Sequence, residues 1–124
     1  MALLNEIARK AWENRQGPCI LTTVSPDGTP NSVYVTCVSQ FGEDSVLVAD
    51  NFFSKTRDNV KKGGIASLLY MSADGTAIQI KGRVEYQTQG SAFDDMKKWN
   101  GDRPGVGVAV VKIDSVFHGS KQLC

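Results

Sequence analysis

The sequence has one histidine, His118, and three cysteines, Cys19, Cys37 and Cys124, in 124 residues. No two cysteines form a Cys-x-x-Cys pair, and His118 is far from Cys37 along the chain. The ligand spacing of a structural zinc site is therefore missing. Charge of one sign is lacking too: 14 basic residues against 13 acidic ones leave a net charge of +1. That removes the basic excess expected of a nucleic-acid binder or of a protein held on an anionic membrane. No apolar run approaches the roughly 20 residues needed to cross a bilayer. The stretch MALLNEIARKAWENR has no signal-peptide core and carries Glu6 among its apolar residues, so it reads as a helix of a mature, cytoplasmic protein. There is no Gly-x-x-x-x-Gly-Lys-Ser/Thr phosphate loop, no Ser-His-Asp or Cys-His arrangement and no convincing carboxylate pair. Repeats, low-complexity tracts and linkers are also absent. Residues 1–124 read as a single domain, long enough to bury a core without disulfide or metal support.

What is present alternates between strand and turn. Apolar residues at 3, 4, 7, 8, 11 and 12 make a helical stripe over 3–14, stopped by Gly17-Pro18. Residues 19–24 and 32–39 (SVYVTCVS) read as two strands around the turn SPDGTP, and predict an antiparallel hairpin. With that turn centred on Asp27-Gly28, Cys19 and Cys37 fall nearly opposite each other. A cross-strand disulfide and a pair of free thiols in a reducing compartment are both open. A third strand covers 45–49, and a helix over 55–62 ends at Gly63-Gly64. Strands follow at 65–71 and 76–86, where Gly82 marks a bulge or a close backbone approach. Ser91 caps a helix over 91–99 whose early Asp94 and Asp95 and late Lys97 and Lys98 suit the helix dipole. Its Phe93, Met96 and Trp99 would face the core, and a sixth strand spans 106–117. Crossovers are too few for a doubly wound parallel sheet. The pattern predicts a mainly β (α+β) fold, a six-stranded antiparallel barrel with peripheral helices.

One stretch asks for a ligand. In DNFFSKTRDN, residues 50–59, a strand gives way to a helix with Ser54 at the N-cap position. Lys55 then puts a cation in the first turn, where the dipole is already positive. A bound phosphate would reverse the sign of that repulsion. Backbone N–H groups, Lys55 and the hydroxyls of Ser54 and Thr56 are the donors it would need. A solvated Lys55 paired with Asp50 or Asp58 is the alternative.

The order of features resembles the FMN-binding split-barrel family, which includes the pyridoxamine-phosphate oxidases and small FMN-binding proteins. The segments that carry the resemblance are TTVSPDGTPNSVYV, VLVADNFFSKTRDNV and IQIKGRVEY, and it covers residues 18–88. It implies a split barrel, FMN as cofactor, and a homodimer with the flavin in the interface. It also implies that Ser54, Lys55 and Thr56 hold the flavin phosphate. The ring would lie along Tyr34, Val35 and Thr36, with Asp50, Asn51 and Phe53 beside the ribityl chain and ring. Trp99, Phe117 and the C-terminal tail are candidates to complete the pocket of a second subunit. Three departures separate the chain from the pyridoxamine-phosphate oxidases. Val33 and Val38 stand where those enzymes place basic residues. Ala77, rather than Gln79, falls at the position of a glutamine near the flavin. The chain also stops before their C-terminal substrate-phosphate motif.

The expectation is an FMN-binding flavoprotein with electron-transfer or oxidoreductase activity, served by a reduced nicotinamide or a redox protein. The alternatives are a pyridoxamine 5'-phosphate oxidase-like enzyme with its own substrate, or a non-enzymatic module. Such a module would bind another phosphorylated cofactor (a deazaflavin) or haem, with His118 or a cysteine as ligand. Neither nucleic acid nor a membrane is expected as a partner.

Overall fold

A computed structural model describes residues 5–124, so positions 3 and 4 of the expected helical stripe lie outside the described residues. Helix α1 (Glu6–Glu13) starts where Asn5 caps it: its side-chain oxygen accepts from the N–H groups of Ile7 and Ala8 at 3.0 and 3.2 Å. The helix buries Ala8, Ala11 and Trp12. Trp12 meets Tyr70 edge to face at 5.1 Å, and the Tyr70 hydroxyl donates to the Ala8 carbonyl at 3.0 Å.

The strands are β1 (Cys19–Val24), β2 (Pro30–Val35), β3 (Val38–Phe41), β4 (Ser45–Asp50), β5 (Ile65–Met71), β6 (Ala77–Gln87), β7 (Gly107–His118) and β8 (Lys121–Gln122). Two helices interrupt them, α2 (Lys55–Lys61) and α3 (Ser91–Asn100). All the strands join one antiparallel sheet in the order β2-β1-β5-β6-β7-β4-β3, with β8 added to β7.

The two edge strands are thus β2 and β3, which are neighbours in the chain and linked only by Thr36 and Cys37. A linker that short reaches no farther than roughly 10 Å. The sheet must therefore curl until its edges approach, which makes a barrel left split between β2 and β3. The expected single strand over 32–39 is in fact the seam. Val35 and Val38 both enter the barrel core. Residues three apart on an unbroken strand would face opposite sides, so the strand has to break between them.

The hairpin β1–β2 forms, with Gly28 at φ 90° in its turn. Its register places Cys19 opposite Val35, not Cys37. Cys19 and Cys37 are free thiols; Cys19 is buried in the barrel, while Cys37 is half-buried against the cluster under α3. The opposed placement that a cross-strand disulfide would need is not there. Two further expectations shift slightly. Gly90, not Ser91, occupies the N-cap of α3, and α2 ends at Lys61.

Strand β4 and the first half of β7 are buried on both faces. Val46, Val48, Ala109 and Val111 fill the barrel, whereas Leu47, Ala49, Val108 and Val110 lie under α3 with Ala92 and Met96. This is why these segments read as continuous apolar runs rather than alternating ones. In β6, Gly82 sits at a register shift, with Asp114 the extra residue opposite. A Cβ at Gly82 would lie 1.9 Å from the Lys112 carbonyl oxygen, so the close backbone approach requires glycine.

Candidate functional site

Strand β4 ends at Asp50, and the chain turns through Asn51–Ser54 into α2. Asp50 has no solvent exposure. One carboxylate oxygen accepts from the Phe53 N–H (3.0 Å) and Arg57 Nη2 (3.0 Å). The other accepts from Arg57 Nε (2.6 Å) and the Tyr86 hydroxyl. Burial by itself would raise the Asp50 pKa. The bonds from Arg57, Tyr86 and the Phe53 N–H outweigh it and hold the carboxyl below its usual range. Arg57 is raised in turn, mainly by its bonds to Asp50, and Tyr86 is pushed up to about 12 by burial and by Asp50. Tyr86 reaches Asp50 past Gly107, where a Cβ would lie 2.2 Å from the tyrosine oxygen.

Three more residues, Asn51, Asn59 and Thr56, fix the same segment. Asn51 and Asn100 exchange amide hydrogen bonds at 2.8 and 3.3 Å, and the Gly105 N–H donates to the Asn51 side chain at 2.9 Å. Buried Asn59 ties α2 to β1 through Thr23 (3.0 Å) and Ser25 (3.2 Å). The Thr56 hydroxyl, itself buried, accepts from Asn31 on β2 at 3.1 Å. The start of α2 is therefore held against β1, β2, β4 and β6 at once.

Ser54 and Lys55 behave differently. Ser54 occupies the N-cap position, but its side chain makes no capping bond, so its hydroxyl is free for another acceptor. Asp50, one of the two partners considered for Lys55, is taken by Arg57. Among the described residues no carboxylate lies within ion-pairing distance of Lys55. Its field reaches Asp27, whose carboxyl is held low first by Thr29 and only then by Lys55.

A cleft of about 500 Å³ runs along this side of the barrel. Asn31, Val33, Tyr34 and Val35 of β2 form one wall. The seam residues Thr36 and Cys37 also line it, and Ser54, Lys55 and Thr56 line it from α2 and its approach. Ala49, Asn51, Phe52 and Phe53 complete the lining, which contains no acidic residue. Of the residues expected around the flavin phosphate, ribityl chain and ring, every one except Asp50 lines this cleft; Trp99 and Phe117, expected to complete a second subunit's pocket, do not. Asp50 lies behind the wall and shapes it. Of the adjacent phenylalanines, Phe53 packs against the core while Phe52 is 83 % exposed.

Sequence reasoning did not put forward Asn31, Cys37 or Ala49. The sequence signal for Asn31 is a polar residue opening a strand. Ala49 and Cys37 carry none, because only the curl of the sheet brings β4 to the seam. His118 does not line the cleft: it pairs with Lys121 at the far end of β7. Among the described residues no cluster of histidine, cysteine and acidic side chains is suited to a metal ion, and no helix is long and apolar enough to cross a membrane.

A barrel split at one seam, with a cleft along it, defines the class of split-barrel proteins. Within that class, the family profile described as pyridoxamine 5'-phosphate oxidase matches residues 6–117, and the chain belongs to that family. An uncharacterised protein of Methanocaldococcus jannaschii is 28% identical over 121 residues, 93% of this chain and 80% of its own. Three solved structures share the fold. Group A Streptococcus HupZ has a TM-score of 0.77 at 17% identity, over 95% of this chain and 92% of its own. An FMN-binding protein from Syntrophomonas wolfei has a TM-score of 0.68 at 23% identity, over 92% and 84%. A haem-binding protein from Mycobacterium smegmatis has a TM-score of 0.69 at 18% identity, over 90% and 52%.

Proposed function

We propose that this chain is an FMN-binding flavoprotein that carries out redox chemistry as a cytoplasmic homodimer. The observation that carries the reading is the cleft: acid-free, with the unpaired cation of Lys55 beside the hydroxyls of Ser54 and Thr56. FMN has a phosphate, a polar flexible chain and a flat ring with a polar edge, and the lining suits each part. Lys55, Ser54 and Thr56 are the phosphate donors, and an anion there relieves the repulsion between Lys55 and the α2 dipole. Asn51 lies along the path of the ribityl chain. Val33, Val35, Ala49 and Phe53 supply apolar surface for the ring. Thr36 sits between strands and pairs with neither ladder, so its backbone is available to the ring's polar edge.

The bound flavin would supply hydride and single-electron transfer; the chain holds it, orients it and limits water. No side chain is required as acid or base. A reduced nicotinamide or a redox protein would be the partner. The free thiols of Cys19 and Cys37 suit a reducing compartment. Val33 in the cleft wall speaks against recognition of pyridoxamine phosphate, for which a basic residue at that position would be needed.

The outer sheet face supports the dimer. Cross-strand pairs Tyr34–Ile20, Ile20–Leu69, Leu69–Gln79 and Gln79–Phe117 form a mostly apolar row over five strands. Tyr34 is 75 % exposed and belongs to both the row and the cleft. A second copy laid on this row would cover it and close the cleft's open side.

The test is the visible absorption spectrum of the freshly purified protein, with release and identification of any chromophore. An oxidised-flavin spectrum and released FMN are expected. Released deazaflavin or haem would replace the cofactor, and a colourless protein that takes up no added FMN would overturn the reading.

A further inference from the structure

The cleft residue Asn51 is held from outside the cleft. Its side-chain oxygen accepts from Asn100 Nδ2 at 2.8 Å and from the Gly105 N–H at 2.9 Å, and its Nδ2 donates to Asn100 Oδ1 at 3.3 Å. A backbone N–H can only donate, so the Gly105 contact fixes which end of the Asn51 amide is the oxygen. With that end fixed, the Asn100 amide has a single orientation that pairs with it, nitrogen to oxygen and oxygen to nitrogen. The Asn51 oxygen is then occupied by two donors, and one Nδ2 hydrogen is bound to Asn100. The second Nδ2 hydrogen has no partner among the described residues, and Asn51 lines the cleft.

Asn100 serves no other side chain. It ends α3, is 1% exposed and does not line the cleft. Among the described residues its amide bonds to Asn51 alone; its bonds from Arg103 go to its backbone carbonyl. The pair is confined by Gly105, at φ 48°, where a Cβ would lie 2.7 Å from Asn100 Nδ2. Lys97 pins the same loop by donating to the carbonyls of Pro104 (3.3 Å) and Gly105 (3.4 Å). The Asn51 amide is thus fixed from α3 and from the loop before β7. Thr56 follows the same logic: its hydroxyl oxygen accepts from Asn31, which leaves the hydroxyl hydrogen to donate.

We propose that Asn100 is a positioning residue for the cofactor. It does not touch the cofactor; it holds Asn51 so that the cleft meets an amide N–H and not the amide oxygen. The group received there is an acceptor oxygen, a hydroxyl or a carbonyl. The proposal rests on the flavin reading, which supplies the cofactor that Asn51 meets.

FMN titrations of the unaltered protein, Asn51→Ala, Asn100→Ala and the double variant test it, all below the lowest melting temperature of the four. Each single change should weaken FMN binding by about three- to tenfold, the worth of one neutral hydrogen bond. The double variant should bind no more weakly than Asn51→Ala alone, because Asn100 acts through Asn51. A merely structural Asn100 would add its own loss. Additive losses, or an unchanged affinity in either single variant, would each overturn the proposal. Nitrogen-15 NMR of the unaltered protein tests it without any variant that must fold. One Asn51 side-chain amide hydrogen should exchange slowly with and without FMN, and the other should shift when FMN is added. Two hydrogens that both ignore FMN would overturn the proposal. The titration of the unaltered protein keeps the two ideas apart. No FMN binding sinks the flavin reading and this proposal with it, whereas FMN binding with additive losses sinks only the role of Asn100.

Discussion

Asp50→Asn should destabilise the protein by roughly 3 kcal/mol while barely changing its shape. Four donors converge on the two Asp50 oxygens: Phe53 N–H and Arg57 Nη2 on one, Arg57 Nε and Tyr86 on the other. An asparagine keeps one acceptor oxygen and turns an NH₂ toward the other pair of donors. Two bonds are lost, each worth about 1.5–3 kcal/mol when a charged group takes part. Removing one partner of a buried ion pair costs about 3–5 kcal/mol. The Arg57 side chain is 32% exposed and recovers part of its hydration, which places the expected loss at the lower end. For a chain of this size, that shifts Tm by roughly 10 °C. Denaturant melts of both proteins across pH are the assay. The folded pKa of Asp50 lies below the unfolded value, near ~3.9. Its ionised form therefore stabilises the fold above that value, and the contribution fades as pH falls through the lower, folded pKa. The gap between the two proteins should hold from neutral pH down to about 4 and narrow below it. A gap under about 1 kcal/mol at neutral pH, or one that widens in acid, would refute the role given to this carboxylate.

Three further outcomes are expected. Lys55→Ala should weaken FMN binding by about 10–100-fold in a titration, the loss of one charge-assisted phosphate contact, with thermal stability unchanged because the side chain is exposed. Equal affinities would remove Lys55 from the site. Gly107→Ala should push Tyr86 off Asp50, since the new Cβ would lie 2.2 Å from the tyrosine oxygen. The cost should be about 1–3 kcal/mol in denaturant melts, and an undiminished stability would count against the packing described. Leu69→Asp, at the middle of the outer apolar row, should convert the proposed dimer to monomer in sedimentation velocity; a sedimentation coefficient identical to that of the unaltered protein would argue against this face as the interface.

Much of this protein could be read locally. The helices over 55–62 and 91–99, the β1–β2 hairpin and the bulge at Gly82 follow from periodicity, turn residues and one misplaced glycine, all of which are short-range signals. The cation at Lys55 was visible for the same reason, because its conflict with the helix dipole is a property of neighbouring residues. Asp50 was harder. Next to Asn51 and Phe53 it reads as one more cleft residue, and only its partners Arg57 and Tyr86, the latter 36 positions away, show that it faces inward.

The sequence by itself determined the mainly β barrel, the helix that follows β4 and the Ser54–Lys55–Thr56 cluster. These depend on which side chains alternate, cap or break within a few residues. Only the tertiary structure decided that SVYVTCVS is the seam between two sheet edges. A run of β-branched residues looks the same on one strand or two, and the break appears only when Val35 and Val38 must both enter one core. The same closure brings Asn31 to Thr56 and Asn51 to Asn100. Such contacts join residues far apart in the chain, so no local pattern records them.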